Sequence, residues 1–505
     1  MAPFDLHSRA SGLLLHPTSL PSPHGIGDLG PSAHAFADFL ADSGQGWWQM
    51  LPIGPTDAWG SPYGSSSAFA GNPLLLSLER LAGEGLLPPE QVGAAARPST
   101  GRVDFARAWE VKEPLLRAAF RAFERLDGER RAGFEAFRRE NAGWLGDFTL
   151  FTALKQRFGG ALWADWPPEI RRREPGALER AREALGGEIR FLSFLQHEFF
   201  RQWEALRGHC RRKGVGLIGD IPIYVSRESA DVWANPALFR LDPEGRPEAV
   251  AGVPPDYFNS NGQLWGNPLY RWDTLRERGY GWWIARLSAA FRFFDASRLD
   301  HFIGFTRYWE VPGGAPTARE GRWREGPGYD FFAQVQRAFG RLDFIAEDLG
   351  DVTPEVFELR DRLGLPGMRV LQFAFGGGND NLHLPPHHPE RCVVYTGTHD
   401  NDTTMGWFAR LMREGPPHER ERALRWLNHS ENEIHWEMIR LAFLSRAHLA
   451  VIPVQDLLGL GTEARMNYPG EMNGNWAWRL REGELTETTR ARLREETRAA
   501  GRLRG

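Results

Sequence analysis

Eight short apolar runs punctuate the chain: "SGLLLHP" (11–17), "GWWQMLPIG" (46–54), "GVGLIGDIPIYV" (214–225), "FFDASRLDHF" (293–302), "LDFIAEDLG" (342–350), "GMRVLQFAF" (367–375), "RCVVYTGTHD" (391–400) and "HLAVIPVQDLLG" (448–459). Most run into Gly, Pro, Asp or His at their C-terminal ends, as parallel strands do when both faces are covered and the ends open onto loops. Helical patterns lie between them. In "DVTPEVFELRDRLGLPG", Thr353 is placed to cap, Pro354 to start the helix, Val356, Phe357, Leu359 and Leu363 to line one side, and Gly364 with Pro366 to stop it. That helix feeds "GMRVLQFAF", which makes a βαβ unit. Eight such strands predict an α/β fold, the (β/α)8 TIM barrel; a doubly wound open sheet is the runner-up, weakened by the absence of a GxGxxG strand-to-helix turn.

The connections are uneven. After the second strand, residues 55–213 carry Arg, Ala, Glu, Trp and Phe at helical spacing, with Pro-rich breaks at 87–100 and 167–175, and read as a mostly helical insertion. After the third, residues 225–285 read as a loop-rich insertion. The expected division is therefore 1–54 for the first two barrel strands, 55–213 for the helical insertion and 214–505 for the remaining strands. "FGGGND" (375–380) reads as a loop and "EGELTETTRARLREETRAAGRLRG" as a terminal helix, leaving no β-sandwich module after the eighth strand.

Composition narrows the function. A net charge of −4 gives no basic footprint for nucleic acid. The two cysteines, Cys210 and Cys392, form no disulfide framework, and neither a signal peptide nor an apolar stretch of about eighteen residues is present, so a cytoplasmic protein with no membrane or nucleic-acid partner is expected. Twenty tryptophans supply flat aromatic faces, useful for apolar ligand surfaces when they are not core.

Barrel enzymes place their chemistry at the C-terminal ends of several strands at once. Acids stand there at Asp220, Asp300, Glu347 and Asp400. Four carboxylates converging on one mouth, without a metal motif, point to acid/base and nucleophilic work on glycosidic bonds. "HEFFR" (197–201) is half a zincin helix with arginine where the second histidine belongs, and His383, His387 and His388 sit in a proline-broken stretch that reads as a surface loop. Neither P-loop nor EF-hand occurs, so no metal and no cofactor is expected.

Seven motifs in order, "SPYGSSSAFAGNP", "GDIPIYVSRESADVWANP", "GVPPDYFNSNGQLWGNPLYRW", "SRLDHFIGF", "AEDLG", "YTGTHDNDTT" and "RMNYPG", resemble those of the amylomaltases, bacterial 4-α-glucanotransferases of the α-amylase clan. The resemblance implies that Asp300 is the nucleophile, Glu347 the general acid/base and Asp400 the transition-state stabiliser, with His399 beside it on the donor ring hydroxyls. Arg298, two residues from Asp300 and so on the same strand face, would keep the nucleophile ionised. Tyr63 and Ser61 match donor-side and acceptor-side positions, Asn467 a sugar contact, and Asp220 joins the substrate-binding set. The segment at about 252–268, with Tyr257, Phe258 and Trp265, would be a lid that stacks on sugars and excludes water.

The substrates implied are maltooligosaccharides, amylose and starch- or glycogen-derived glucans, with glucose or maltodextrins as acceptors. Retention requires two displacements, hence a nucleophile and a separate acid about 5 to 5.5 Å apart, and like charges at Asp300 and Asp400 should raise the proton affinity of Glu347. Asp348 could compete for the acid role, but alternate strand residues face opposite ways. Departures at Ile303 and in "GGGNDNLHLPPHH" bear on product size and donor subsites, not on the three acids. An α-amylase-type hydrolase is the alternative; a non-catalytic glucan-binding protein would not need all three carboxylates.

Overall fold

The computed structural model describes residues 4–97, 100–255, 260–427, 433–471 and 473–503. Among these described residues twelve strands follow in chain order: β1 (Ala10–Leu14), β2 (Trp47–Gln49), β3 (Gly216–Ile221), β4 (Ala249–Val253), β5 (Gln263–Pro268), β6 (Ala296–Leu299), β7 (Arg307–Pro312), β8 (Arg322–Glu325), β9 (Phe344–Ala346), β10 (Gly367–Val370), β11 (Cys392–Tyr395) and β12 (Leu449–Pro453). Eight pair in parallel in the order β10-β11-β12-β1-β2-β3-β6-β9, one from each apolar run. The Ala346 N–H donates to the Pro366 carbonyl at 2.9 Å and brings β9 against the start of β10, so the sheet wraps into a near-closed barrel. The expected TIM-barrel architecture is the one observed.

Burial explains the legibility of these strands. Every residue of β1, β2, β3, β6, β9, β10, β11 and β12 is buried, so these strands are mostly apolar, with Ser11, Gln49, Asp220, Ser297, Arg298 and Arg369 as their polar or charged members. The helix Pro354–Arg362 lies where its sequence places it; Thr353 occupies the N-cap position by backbone geometry, without a side-chain bond to the helix. Between β2 and β3 run several helices, ending in Gly186–Arg212, whose Phe199, Trp203 and Leu206 pack in the same core as Trp47 and Trp48. That last helix is the crossover into β3.

The stretch 225–285, read as loop-rich, instead carries β4 and β5, which join β7 and β8 in a four-stranded antiparallel sheet ordered β5-β4-β7-β8. Its partners lie beyond residue 300, and β5 and β8 are largely exposed, so neither alternation nor an apolar run marks them. This sheet stands over the end of the barrel where β3 and β6 open, and it carries Trp265.

At the opposite end, the fully buried Arg502 closes the bottom. Its guanidinium donates to the carbonyls of Phe443 (2.7 Å), Ala10 (2.8 Å), His448 (3.0 Å), Ala442 (3.3 Å), Ser445 (2.9 Å) and Ala447 (2.9 Å). It thereby satisfies the last carbonyls of the helix Ile434–Leu444 and ties the starts of β1 and β12. Arg9 shares the Phe443, Ser445 and Ala447 carbonyls and the Ala10 N–H also reaches that of His448, so Arg502→Ala weakens this knot without emptying it; urea unfolding is expected to show a loss of about 3 kcal/mol, with kcat at 25 °C unchanged because the mouth is at the other end.

Candidate active site

Strand register assembles the centre. Asp220 on β3 is the direct neighbour of Arg298 on β6, and Leu299 of β6 is the neighbour of Ala346 of β9, so Asp300 and Glu347 emerge side by side. Arg298 Nη1 lies 2.9 and 2.7 Å from the two oxygens of Asp220 and 2.9 Å from Asp300 Oδ1; its Nη2 is 3.9 Å from Glu347 Oε2. One buried cation thus faces three carboxylates. Two backbone donors hold Glu347: the His301 N–H gives 2.7 Å to Oε2, and the Leu349 N–H gives 3.2 Å to Oε1. His301 can do this because its backbone is left-handed, φ 51° and ψ 53°, a costly conformation for a residue with a Cβ.

A second group flanks the first. The Tyr63 hydroxyl donates to Asp220 Oδ2 at 2.8 Å and accepts from His399 Nε2 at 2.9 Å, its ring stacked on the imidazole at 5.4 Å. His399 Nε2 also stands 3.3 Å from Asp400 Oδ1, to which the Asn467 amide donates at 2.7 Å. Ser61 caps the turn Pro62–Gly64, accepting the Tyr63 N–H at 3.3 Å. Trp265 packs edge-on against the His301 ring at 4.8 Å. Side-chain exposure rises outward, from 0% at Asp220 through 12% at Glu347 and 26% at Asp300 to 44% at Asp400, so three of the four acids can meet a ligand. Asp220, expected among the substrate contacts, is sealed with both oxygens engaged; it holds Arg298 and Tyr63 instead of a sugar. Tyr257 and Phe258 lie outside the described residues.

A profile of the 4-alpha-glucanotransferase family matches residues 15–486. The chain belongs to that family. It is 52% identical to the 4-alpha-glucanotransferase of Thermus thermophilus over 504 residues, covering 98% of this chain and 99% of that one. It is 47% identical to the enzyme of a Synechocystis species over 502 residues, 98% of this chain and 99% of that one. Among solved structures, it is similar to the amylomaltase from Streptococcus agalactiae in complex with acarbose, with a TM-score of 0.94, 37% identity, and coverage of 98% of this chain and 100% of that one.

In this 4-alpha-glucanotransferase fold the electrostatics follow from burial. Glu347 is pushed up to about 8, by desolvation first and then by the charges of Asp300 and Asp348, against the pull of Arg298 and the His301 N–H. The sequence reading assigned that rise to Asp300 and Asp400; burial is the larger cause, and Asp348 stands where Asp400 was expected. Asp220 is likewise raised, by burial and Asp300. Burial lowers the pKa of His399, against the pull of Asp400, and it drives His301 down to about 4. Arg298 is held well above its usual value because Asp220 and Asp300 outweigh its own desolvation.

Asp348 turns away from the mouth, as alternation requires, and bonds Arg360 and the Met368 N–H. Two contributors escaped the sequence reading. His301 was visible inside "LDHF", but its left-handed backbone is not encoded by any turn residue. Arg465 stands just before "MNYPG" and donates to the carbonyls of Asp400 (2.7 Å) and Asn467 (2.8 Å).

Other titratable clusters are otherwise engaged. His197 and Glu198 of "HEFFR" sit 3.2 Å apart, with Arg201 2.7 Å from Glu198. His383 accepts the Val370 N–H, while His387 and His388 bond the carbonyls of Asn379 and His383. His24, Asp28 and Glu79 have ligand atoms within 4.8 Å of one another, but the buried Lys112 ammonium stands 3.4 Å from Asp28, so the positive charge there is the protein's own. Among the described residues no helix is long and apolar enough to cross a membrane.

Raised proton affinity has a cost that shows in stability. Below the unfolded-state value of Glu347 both states carry the proton; above it the unfolded chain releases one that the folded chain keeps, so stability falls as pH rises toward about 8. Glu347→Gln cannot ionise. The gap between its melting temperature and that of the parent is therefore smallest near pH ~4 and widens in the variant's favour up to about 8; a gap independent of pH contradicts the raised affinity.

Proposed function

We propose that this 4-alpha-glucanotransferase moves α-1,4-glucan segments from a maltooligosaccharide or amylose donor to the 4-hydroxyl of glucose or a maltodextrin, by a retaining double displacement. Asp300 is the nucleophile. Its Oδ1 is neutralised by Arg298, so Oδ2 attacks the anomeric carbon while Glu347 gives its proton to the departing glycosidic oxygen. The glucosyl ester on Asp300 then yields to the acceptor hydroxyl, whose proton returns to Glu347 as the ester bond breaks. Asp400 and His399, braced by Asn467, Arg465 and Tyr63, hold the hydroxyls of the donor ring.

The observation that carries this reading is the single guanidinium of Arg298 within 2.9 Å of Asp300 and 3.9 Å of Glu347. It fits one carboxylate kept charged and a more buried one kept protonated, the division of labour that retention needs. The segment at about 252–268 acts as a lid: Trp265, exposed at the mouth yet braced on His301, is suited to stack on a sugar and displace water from the ester. The two buried free thiols fit a reducing compartment, the cytoplasm.

Incubation with maltotriose, resolving products by chain length, tests the reading. Glucose and longer maltodextrins are expected at nearly constant total reducing ends; Trp265→Ala shifts the balance toward new reducing ends, and Asp300→Ala loses several orders of magnitude in kcat with the fold intact. A steady climb in reducing ends with no product longer than the substrate marks an α-glucan hydrolase instead, and near-normal activity in Asp300→Ala removes the nucleophile assignment.

A further inference from the structure

Ladders run along the barrel from β10 round to β9, but among the described residues none joins β9 to β10. A seam without strand pairing lies immediately beside Glu347. One backbone bond, from the Ala346 N–H to the Pro366 carbonyl, crosses it, and the side chain of Asp348 adds the next: its Oδ1 accepts the Met368 N–H at 2.7 Å from β10, and its Oδ2 accepts Arg360 Nη1 at 2.5 Å, with Arg369 Nη1 at 3.6 Å. The approach is so close that a Cβ on Gly367 would stand 2.4 Å from Asp348 Oδ2, which is why β10 starts on glycine.

We propose that Asp348 is a positioning residue for the reaction, its buried carboxylate stitching β9 to β10 and so fixing where the adjacent Glu347 carboxyl stands over the mouth. This rests on the assignment of Glu347 as general acid/base. Asp348 touches no substrate, because its side chain is 0% exposed. It acts through Glu347 in two ways. Sealing the seam sets the height of the acid relative to the scissile oxygen, where a displacement of about 1 Å costs about 10²-fold in rate. Its negative charge also helps to keep the Glu347 proton in place.

The charges that bear on this pair come from every side. Glu347 faces Arg298, Asp300 and His301 from the end of β6, with Asp220 of β3 behind Arg298. Asp348 faces Arg360 from the helix Pro354–Arg362, Arg369 from β10 and the Cys392 thiol from β11. Burial raises Asp348 itself, and Arg369, Arg360 and the Met368 N–H offset that rise in part. Removing the Asp348 charge therefore lowers the proton affinity of Glu347.

The test is the pH dependence of kcat for maltotriose disproportionation in Asp348→Asn, Arg369→Lys and Glu347→Gln. Asn keeps an acceptor for the Met368 N–H but carries no charge. Its kcat is expected to fall about tenfold or more with KM within about twofold, and its alkaline limb to move to lower pH. In Arg369→Lys, which disturbs the same seam but keeps both charges, the limb stays where it is in the parent, a split that simple loosening of the fold does not produce. An unmoved Asp348→Asn limb with Glu347→Gln inactive overturns this inference alone; a Glu347→Gln that remains active overturns the acid/base reading beneath it. Should Asp348→Asn fail to fold, Gly367→Ala decides, because its Cβ displaces the Asp348 carboxylate: a kcat equal to the parent's overturns the inference.

Discussion

Everything at the mouth of this barrel depends on one guanidinium. Arg298 is buried, and an unpaired charge there would be prohibitive, so the fold supplies Asp220 on the neighbouring strand with both oxygens turned to it. The same cation also touches Asp300 and approaches Glu347. One positive charge cannot neutralise three negative ones in a desolvated space. A proton makes up part of the difference, and it is favoured on Glu347, which burial pushes up to about 8 and Arg298 approaches only to 3.9 Å. The division of labour proposed for the nucleophile and the acid thus rests on burial and charge counting, not on any special property of the residues.

The barrel makes that division reproducible. Adjacent parallel strands fix Asp220 against Arg298 and set Asp300 beside Glu347, so the spacing of the reacting groups is inherited from backbone geometry. Around this strand-built centre, other elements carry the rest: the turn with Tyr63, the loops with Asp400 and Asn467, and the small sheet bearing Trp265.

How much of this was legible in the sequence follows from what is local. Eight fully buried strands reveal themselves as apolar runs ending in Gly, Pro, Asp or His, and the helix Pro354–Arg362 announces itself by proline at its start and glycine past its end. Asp300, Glu347 and Asp400 stand out as acids at strand ends. What remained hidden is relational. The four-stranded sheet pairs β4 with β7 across more than fifty residues, which no window sees. Asp220 looks like a ligand contact until the register shows its oxygens spent on Arg298 and Tyr63, and nothing in "LDHF" tells that His301 adopts a left-handed backbone to aim its N–H at Glu347. Asp348 reads as a bystander to its neighbour; only the missing ladder beside it gives the side chain a task.

The central claim is that Asp300 forms a covalent glucosyl ester, and it is tested most directly by trapping that ester. A maltotriosyl fluoride needs no acid to depart, so Glu347→Gln should be glycosylated by it yet release the glucan slowly for want of a base. Acid quenching followed by intact-mass and peptide mapping is predicted to show one added glucan unit on the peptide containing Asp300. An adduct on another residue, or a protein that turns over the fluoride normally while no adduct accumulates, would contradict the account.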